Sequence, residues 1–152
     1  MQWEVDLPAS SENMGLNAGP VVDGGRVYVS SNRGQVVALD AADGRLLWQA
    51  STGGGGVMNN DPSVDGGRVF VTTWNECCGN ASRQLHAYDA ATGAEQWARE
   101  VEASNMQYPA LVLGKNVVVG NDAGSVKAYD VASGKLRWSR AMGPSLGGWL
   151  VE

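Results

Sequence analysis

The sequence predicts an all-β chain built from repeated four-stranded antiparallel units, and three observations carry that prediction. One phrase, A-x-D-x-x-x-G-x-x-x-W, occurs three times with the same gaps. It runs from Ala38 through Asp40 and Gly44 to Trp48, from Ala87 through Asp89 and Gly93 to Trp97, and from Ala128 through Asp130 and Gly134 to Trp138. Trp3, Trp48, Trp97 and Trp138 are spaced 45, 49 and 41 residues apart, the period of a four-stranded repeat. No stretch shows apolar residues at helical spacing with caps at its ends. Together these read as a β-propeller segment of about three four-stranded blades, with partial blades at both ends.

Each element follows from local chemistry. Trp3, in Gln2-Trp3-Glu4-Val5, matches the tryptophan of the phrase without its hairpin, so residues 1–7 read as a lone last strand. Full blades are expected over 17–51, 57–101 and 107–141. A proline opens each blade (Pro20, Pro62, Pro109), followed by a short strand A and a tight turn at Asp23-Gly24, Asp65-Gly66 or Leu113-Gly114. Strand B is the apolar run starting at Arg26, Arg68 or Asn116. A connection follows at 32–34, 74–83 or 122–124, and the phrase supplies strands C and D. Its aspartate can accept bonds from backbone amides just ahead of it, which opens a turn. Its glycine sits where the hairpin loop needs a positive φ. Residues 142–152 resemble 14–22 and read as the start of a further strand A. The expectation is therefore a segment of a larger ring, or a protomer that closes by assembling, because a closed ring takes ~4–8 blades.

Composition excludes several classes. Eleven basic and 16 acidic residues give a formal charge of −5, which argues against a nucleic-acid partner. No apolar run is long enough to span a membrane as a helix. Residues 1–8 are polar and mixed, without the pattern of a signal peptide. Open β edges invite pairing with another chain. The partners expected are other propeller segments, a protein joined by edge pairing, or further copies of this chain.

The repeated phrase resembles the tryptophan-docking motif of the pyrroloquinoline-quinone (PQQ) propeller family, which includes quinoprotein dehydrogenases and a non-enzymatic outer-membrane barrel-assembly lipoprotein. The resemblance covers nearly all of residues 1–152. It implies that Trp48, Trp97 and Trp138 lie between neighbouring blades, against Gly44, Gly93 and Gly134 of adjacent phrases, as structural residues. It also implies a periplasmic or extracellular location. In the enzymatic branch it implies PQQ with calcium as cofactor; the scaffold branch holds none.

Two groups of residues are candidate sites. Cys77-Cys78 lies in the expanded B–C connection of the second blade, after Trp74. In the dehydrogenases a vicinal disulfide lies against the quinone and a tryptophan covers its other side, so Cys77, Cys78 and Trp74 look like cofactor-binding pieces. The residues around the pair do not match that motif, and the alternative is a rigid disulfide ring that stiffens the loop, or two free thiols. His86 alternates with Leu85 and Ala87 in strand C and reads as a packed or solvent-facing strand residue; two thiols and one distant histidine are too few for structural zinc. The second group lies in the D–A loops: Asn13, Met14, Met58, Asn59, Asn60, Asn105 and Met106, with Met142 in the fourth. D–A and B–C connections share one face, so these would ring the channel mouth as a ligand or partner face; the alternative is that they are loop fillers, Asn tolerating turns and Met capping the core. Asn offers donor and acceptor and Met an adaptable apolar contact. Glu12, Glu76 and Asp61 are the acids nearest that face. No catalytic residue is assigned. The expected function is a non-catalytic scaffold or binding module; the alternative is a fragment of a PQQ-dependent alcohol or sugar dehydrogenase.

Overall fold

The computed structural model of the protein describes residues 3–4, 18–32, 34–53, 60–74, 83–101, 108–121 and 124–142. Within them lie twelve strands and no helix. They form three separate four-stranded antiparallel meanders, so the chain is all-β and its architecture is that of a propeller segment. Sheet one holds β1 (Val21–Asp23), β2 (Arg26–Ser30), β3 (Gln35–Asp40) and β4 (Leu46–Ser51) in that order. Sheet two holds β5 (Ser63–Asp65), β6 (Arg68–Trp74), β7 (Arg83–Asp89) and β8 (Glu95–Glu100). Sheet three holds β9 (Leu111–Leu113), β10 (Asn116–Gly120), β11 (Ser125–Asp130) and β12 (Leu136–Ala141). Of the segments expected to begin and end partial blades, only Trp3, Glu4 and Met142 fall within the described residues.

The turns explain the meanders. Gly24 and Gly25 both take positive φ, at 53° and 75°. That is the backbone of a two-residue hairpin whose twist matches its flanking strands. At the other end of the sheet, the three phrases build one loop three times. Asp40 Oδ1 accepts the amide of Ala42; Asp89 Oδ1 accepts those of Ala91 and Thr92; Asp130 Oδ1 accepts those of Ala132 and Ser133. The amides of Gly44, Gly93 and Gly134 each return to the carbonyl of that aspartate at 2.8 Å. The glycines have φ of 74°, 74° and 65°. A bulge follows Ala38, Ala87 and Ala128, which increases local twist beside the turn.

The core lies between sheets rather than inside them. Strands β3 and β7 bury residues on both faces, so their apolar runs are continuous rather than alternating. Tyr28, Val36, Ala38, Trp48, Val69, Val71 and Tyr88 fill the seam between sheets one and two. Phe70, Leu85, Ala87, Trp97, Val117, Val119 and Tyr129 fill the seam between sheets two and three. The inner rim adds polar links: the amide of Gly19 donates to Asp61, and the hydroxyl of Ser63 donates to the carbonyl of Ala110. Asp61 is therefore held by the neighbouring blade.

The tryptophans join one sheet to the next. Trp48 Nε1 donates to the carbonyl of Ala90 at 3.0 Å, and Trp97 Nε1 to that of Val131 at 3.1 Å. Both acceptors are the residue after the phrase aspartate of the following sheet. A large flat ring buries much area while its one polar atom still finds a partner. The glycine of each turn gives the ring its seat. A Cβ on Gly93 would stand 2.6 Å from Trp48, and one on Gly134 would stand 2.6 Å from Trp97. Tyr28 and Phe70 hold the other side of the two indoles, at centroid distances of 6.0 and 5.9 Å and the same 47° tilt.

Two expectations follow. Gly25→Ala meets no neighbour within 4 Å and carries only the left-handed φ, so it should cost ~1 kcal/mol. Gly93→Ala adds the clash with Trp48 and should cost ~3 kcal/mol or more. Urea unfolding of both variants checks this, and equal losses would overturn the seat. The second concerns acid. Arg137 and then Ser133 bond the carboxylate of Asp130 and hold its pKa well below the usual carboxylate range. A depressed carboxylate contributes stability above its unfolded value of ~4, lost as pH falls below that. Thermal midpoints from pH ~5 to ~2 should fall less steeply in Arg137→Ala than in the parent.

Candidate functional site

The sequence-predicted loop face is built where strands B and D end and strands A and C begin. Backbone bonds hold this end together: the amide of Ser31 donates to Gln35, that of Thr52 to Gly34, and that of Val101 to Arg83. Of Asn13, Met14, Met58, Asn59, Asn60, Asn105 and Met106, Asn60 is the one that falls within the described residues. It is 5% exposed, and its side chain is already committed: Nδ2 donates to Thr72 Oγ1 at 2.9 Å, while its carbonyl accepts from Ser30 Oγ at 3.1 Å. It thus ties the B strands of sheets one and two beneath the loop face. Met142 is exposed, and its amide bonds Gly124. Trp74 ends β6 in register with Arg83. Cys77, Cys78, Asn13, Met14, Met58, Asn59, Asn105 and Met106 lie outside the described residues, as do Glu12 and Glu76.

A second polar group lies in the seam. His86 is 2% exposed, so it is packed rather than solvent-facing. Its Nδ1 is 2.7 Å from Glu95 Oε1, its Nε2 is 3.5 Å from Thr73 Oγ1, and its ring stacks on Tyr88 with an 11° interplanar angle. Val37 and Lys127 occupy the matching place in the other phrases. Burial, and then the carboxylate of Glu95, push the Tyr88 hydroxyl well above its usual pKa. That hydroxyl donates to the carbonyl of Ser51. Every polar atom of His86 and Tyr88 has a partner inside the protein, which suits a structural role for the group.

Sequence reasoning missed three arginines. Arg99, two residues past Trp97, donates from Nε to the carbonyl of Gly134 at 3.0 Å and from Nη2 to that of Ser133 at 2.7 Å. Its guanidinium lies 5.9 Å from the centre of the Trp97 ring, within the range of a cation–π contact. Arg140 stands two residues past Trp138; the shared Trp-x-Arg was the available signal. Arg83, which follows the cysteine segment, is buried with its Nε unpartnered. No group of three or more His, Cys, Asp or Glu side chains among the described residues could hold a metal ion.

Comparison with known proteins places these features. The family model for outer membrane protein assembly factor BamB matches residues 1–146. The quinohemoprotein alcohol dehydrogenase ADH IIB of Pseudomonas putida is 31% identical over 125 residues, which are 78% of this chain and 18% of that protein. The outer membrane protein assembly factor BamB of Escherichia coli (strain K12) is 39% identical over 57 residues, which are 34% of this chain and 14% of that protein. The matched stretches thus amount to less than a fifth of the length of these curated relatives. Among solved structures, the quinohemoprotein alcohol dehydrogenase from Comamonas testosteroni superposes with a TM-score of 0.70 at 20% identity. The match covers 83% of this chain and 27% of that one, a likeness of fold.

Asn60→Ala should leave Thr72 without its donor and should cost ~1–3 kcal/mol in urea unfolding. An unchanged midpoint would mean that Asn60 is not a tie between the sheets.

Proposed function

Because the chain belongs to the PQQ-like β-propeller family of outer membrane protein assembly factor BamB, we propose that it is a non-catalytic scaffold. On this reading it binds a protein partner through the D–A and B–C loop face and its blade edges. One observation carries the proposal: the recurring residues are spent on the fold. In each phrase the aspartate closes a turn; at Gly93 and Gly134 the glycine seats an indole; Trp48 and Trp97 join the sheets. What differs between blades is the loops, and binding residues concentrate on loops held by a rigid frame. Asn13, Met14, Met58, Asn59, Asn105 and Met106 are the residues proposed to meet the partner. No helix among the described residues is long and apolar enough to cross a membrane. The family supports a periplasmic or extracellular setting.

A second reading has its own support. The alcohol dehydrogenase relative matches more than three quarters of the chain. Arg83, a buried guanidinium with an unpartnered Nε, follows the segment that carries Cys77-Cys78. A quinone bearing carboxylates would suit such a cation, with Cys77, Cys78 and Trp74 beside it.

One experiment separates the two. A photo-crosslinking residue at 58 or 105 should capture a protein partner in cells, while one at 43 or 91, on the opposite turns, should not. Equal capture at both faces would overturn the scaffold reading. So would tight binding of PQQ with calcium followed by dye-coupled alcohol oxidation, which Arg83→Ala should then weaken at least tenfold.

A further inference from the structure

Each sheet ends on the outside in the strand that carries the phrase tryptophan: β4, β8 or β12. Hydrogen bonds at the loop end fix the phase of these strands. The amides of Thr52, Val101 and Met142 turn inward, to the carbonyls of Gly34, Arg83 and Gly124. Along an antiparallel strand, inward and outward residues alternate. Counted back through the register, Trp48 and Ala50 turn their main chain inward, as do Trp97 with Arg99 and Trp138 with Arg140. Gln49, Ala98 and Ser139 therefore turn their N–H and C=O outward, away from the sheet. In sheets two and three that outward carbonyl is taken: Arg99 Nη1 donates to Ala98 at 2.7 Å, and Arg140 Nη1 to Ser139 at 3.0 Å. Sheet one has Ala50 where they have arginine. The side chain of Gln49 does not fill the gap, because its Nε2 donates to Gln35 Oε1 on β3 at 2.7 Å. The main chain of Gln49 meets no partner among the described residues.

Charge points the same way. Proteins blunt exposed edges with charged side chains. Strand β8 carries Glu95, Arg99 and Glu100, and β12 carries Arg137 and Arg140. Strand β4 reads Leu-Leu-Trp-Gln-Ala-Ser, with no charge. Of the three outer edges it has neither a guanidinium on its carbonyl nor charge along its length. Another extended main chain supplies the alternating donors and acceptors that such an edge lacks. A second β4 suits it. Run antiparallel about a two-fold axis at Gln49, the two Gln49 residues exchange both main-chain bonds, and the paired strands bring no like charges together.

We propose that β4 is a strand-pairing site, and that its occupant is β4 of a second copy of the chain. The two sheets then continue into one another through their outer edges. The carbonyl of Ser51, also outward, already accepts the Tyr88 hydroxyl, so the pairing centres on Gln49. The contact uses one patch on both copies, so it closes at a dimer. It lies away from the loop face and stands whatever that face binds.

The test compares one edge with another. In sedimentation velocity the parent chain should show monomer and dimer, with the dimer fraction rising with concentration. Gln49→Lys sets two ammonium groups directly opposite each other. It should weaken the dimer at least tenfold, and added salt should reverse part of that loss. Gln49→Pro removes the outward N–H, which the sheet itself does not use, and should weaken the dimer as much. Ser139→Lys makes the same change on the guarded edge of sheet three and should leave the dimer unaffected. Hydrogen exchange gives a second readout: the amide of Gln49 should slow as concentration rises, and that of Ala98 should not. Circular dichroism checks that each variant folds; should Gln49→Pro not fold, Gln49→Lys and the exchange data decide. A parent chain that stays monomeric up to about 1 mM would overturn the proposal. So would growth past the dimer, or a loss in Ser139→Lys equal to that in Gln49→Lys.

Discussion

An indole N–H reaching a main-chain carbonyl of the next sheet is the bond on which the rest of the molecule depends. Each sheet alone is a four-stranded meander with apolar residues on both faces, and it cannot bury both by itself. Stacking sheets face to face solves this only if neighbours keep one spacing and one tilt. The Trp48 and Trp97 seams keep both: ring distances near 6 Å and a common 47° angle recur with different partners, Tyr28 in one and Phe70 in the other. The indole sets the distance, the glycine permits the approach, and the carbonyl sets the register.

The two seams reach that geometry by different side routes. In the first, the hydroxyl of Tyr28 joins Trp48 at the carbonyl of Ala90, so one oxygen accepts two donors. In the second, Phe70 has no hydroxyl, and Arg99 supplies the extra bonds by capping the far end of the turn. The shared part of the joint is the repeated phrase, and the reinforcement varies around it.

This division explains what was legible in the sequence. Turns and seams recur with fixed spacing, so Asp40, Gly44 and Trp48 announced their roles when met again at 89, 93 and 97. The strand order and the all-β class followed. Residues without a repeated counterpart were harder to place. His86 could face either way on a strand, because alternation cannot tell a sheet face that meets water from one that meets another sheet. Asn60 read as part of a binding rim because asparagine suits loops, yet its amide is spent on Thr72. Arg99 was passed over because a charged side chain after a tryptophan looks like a solvated strand end. Its bonds lie across a seam that only the assembled sheets create. The loop residues proposed for binding have no periodic pattern to anchor them, so repeat logic says least where specificity resides.

The acceptors of the seam are backbone oxygens, and that choice has a consequence for how such a chain can change. Val131 presents the same atom as Ala41 and Ala90 although its side chain differs from theirs. Drift at those positions leaves the joint intact, while the glycine three residues on has no such latitude. A duplicated unit therefore arrives with a plug at one side and a socket at the other, and lengthening the row needs no invention of a new fit.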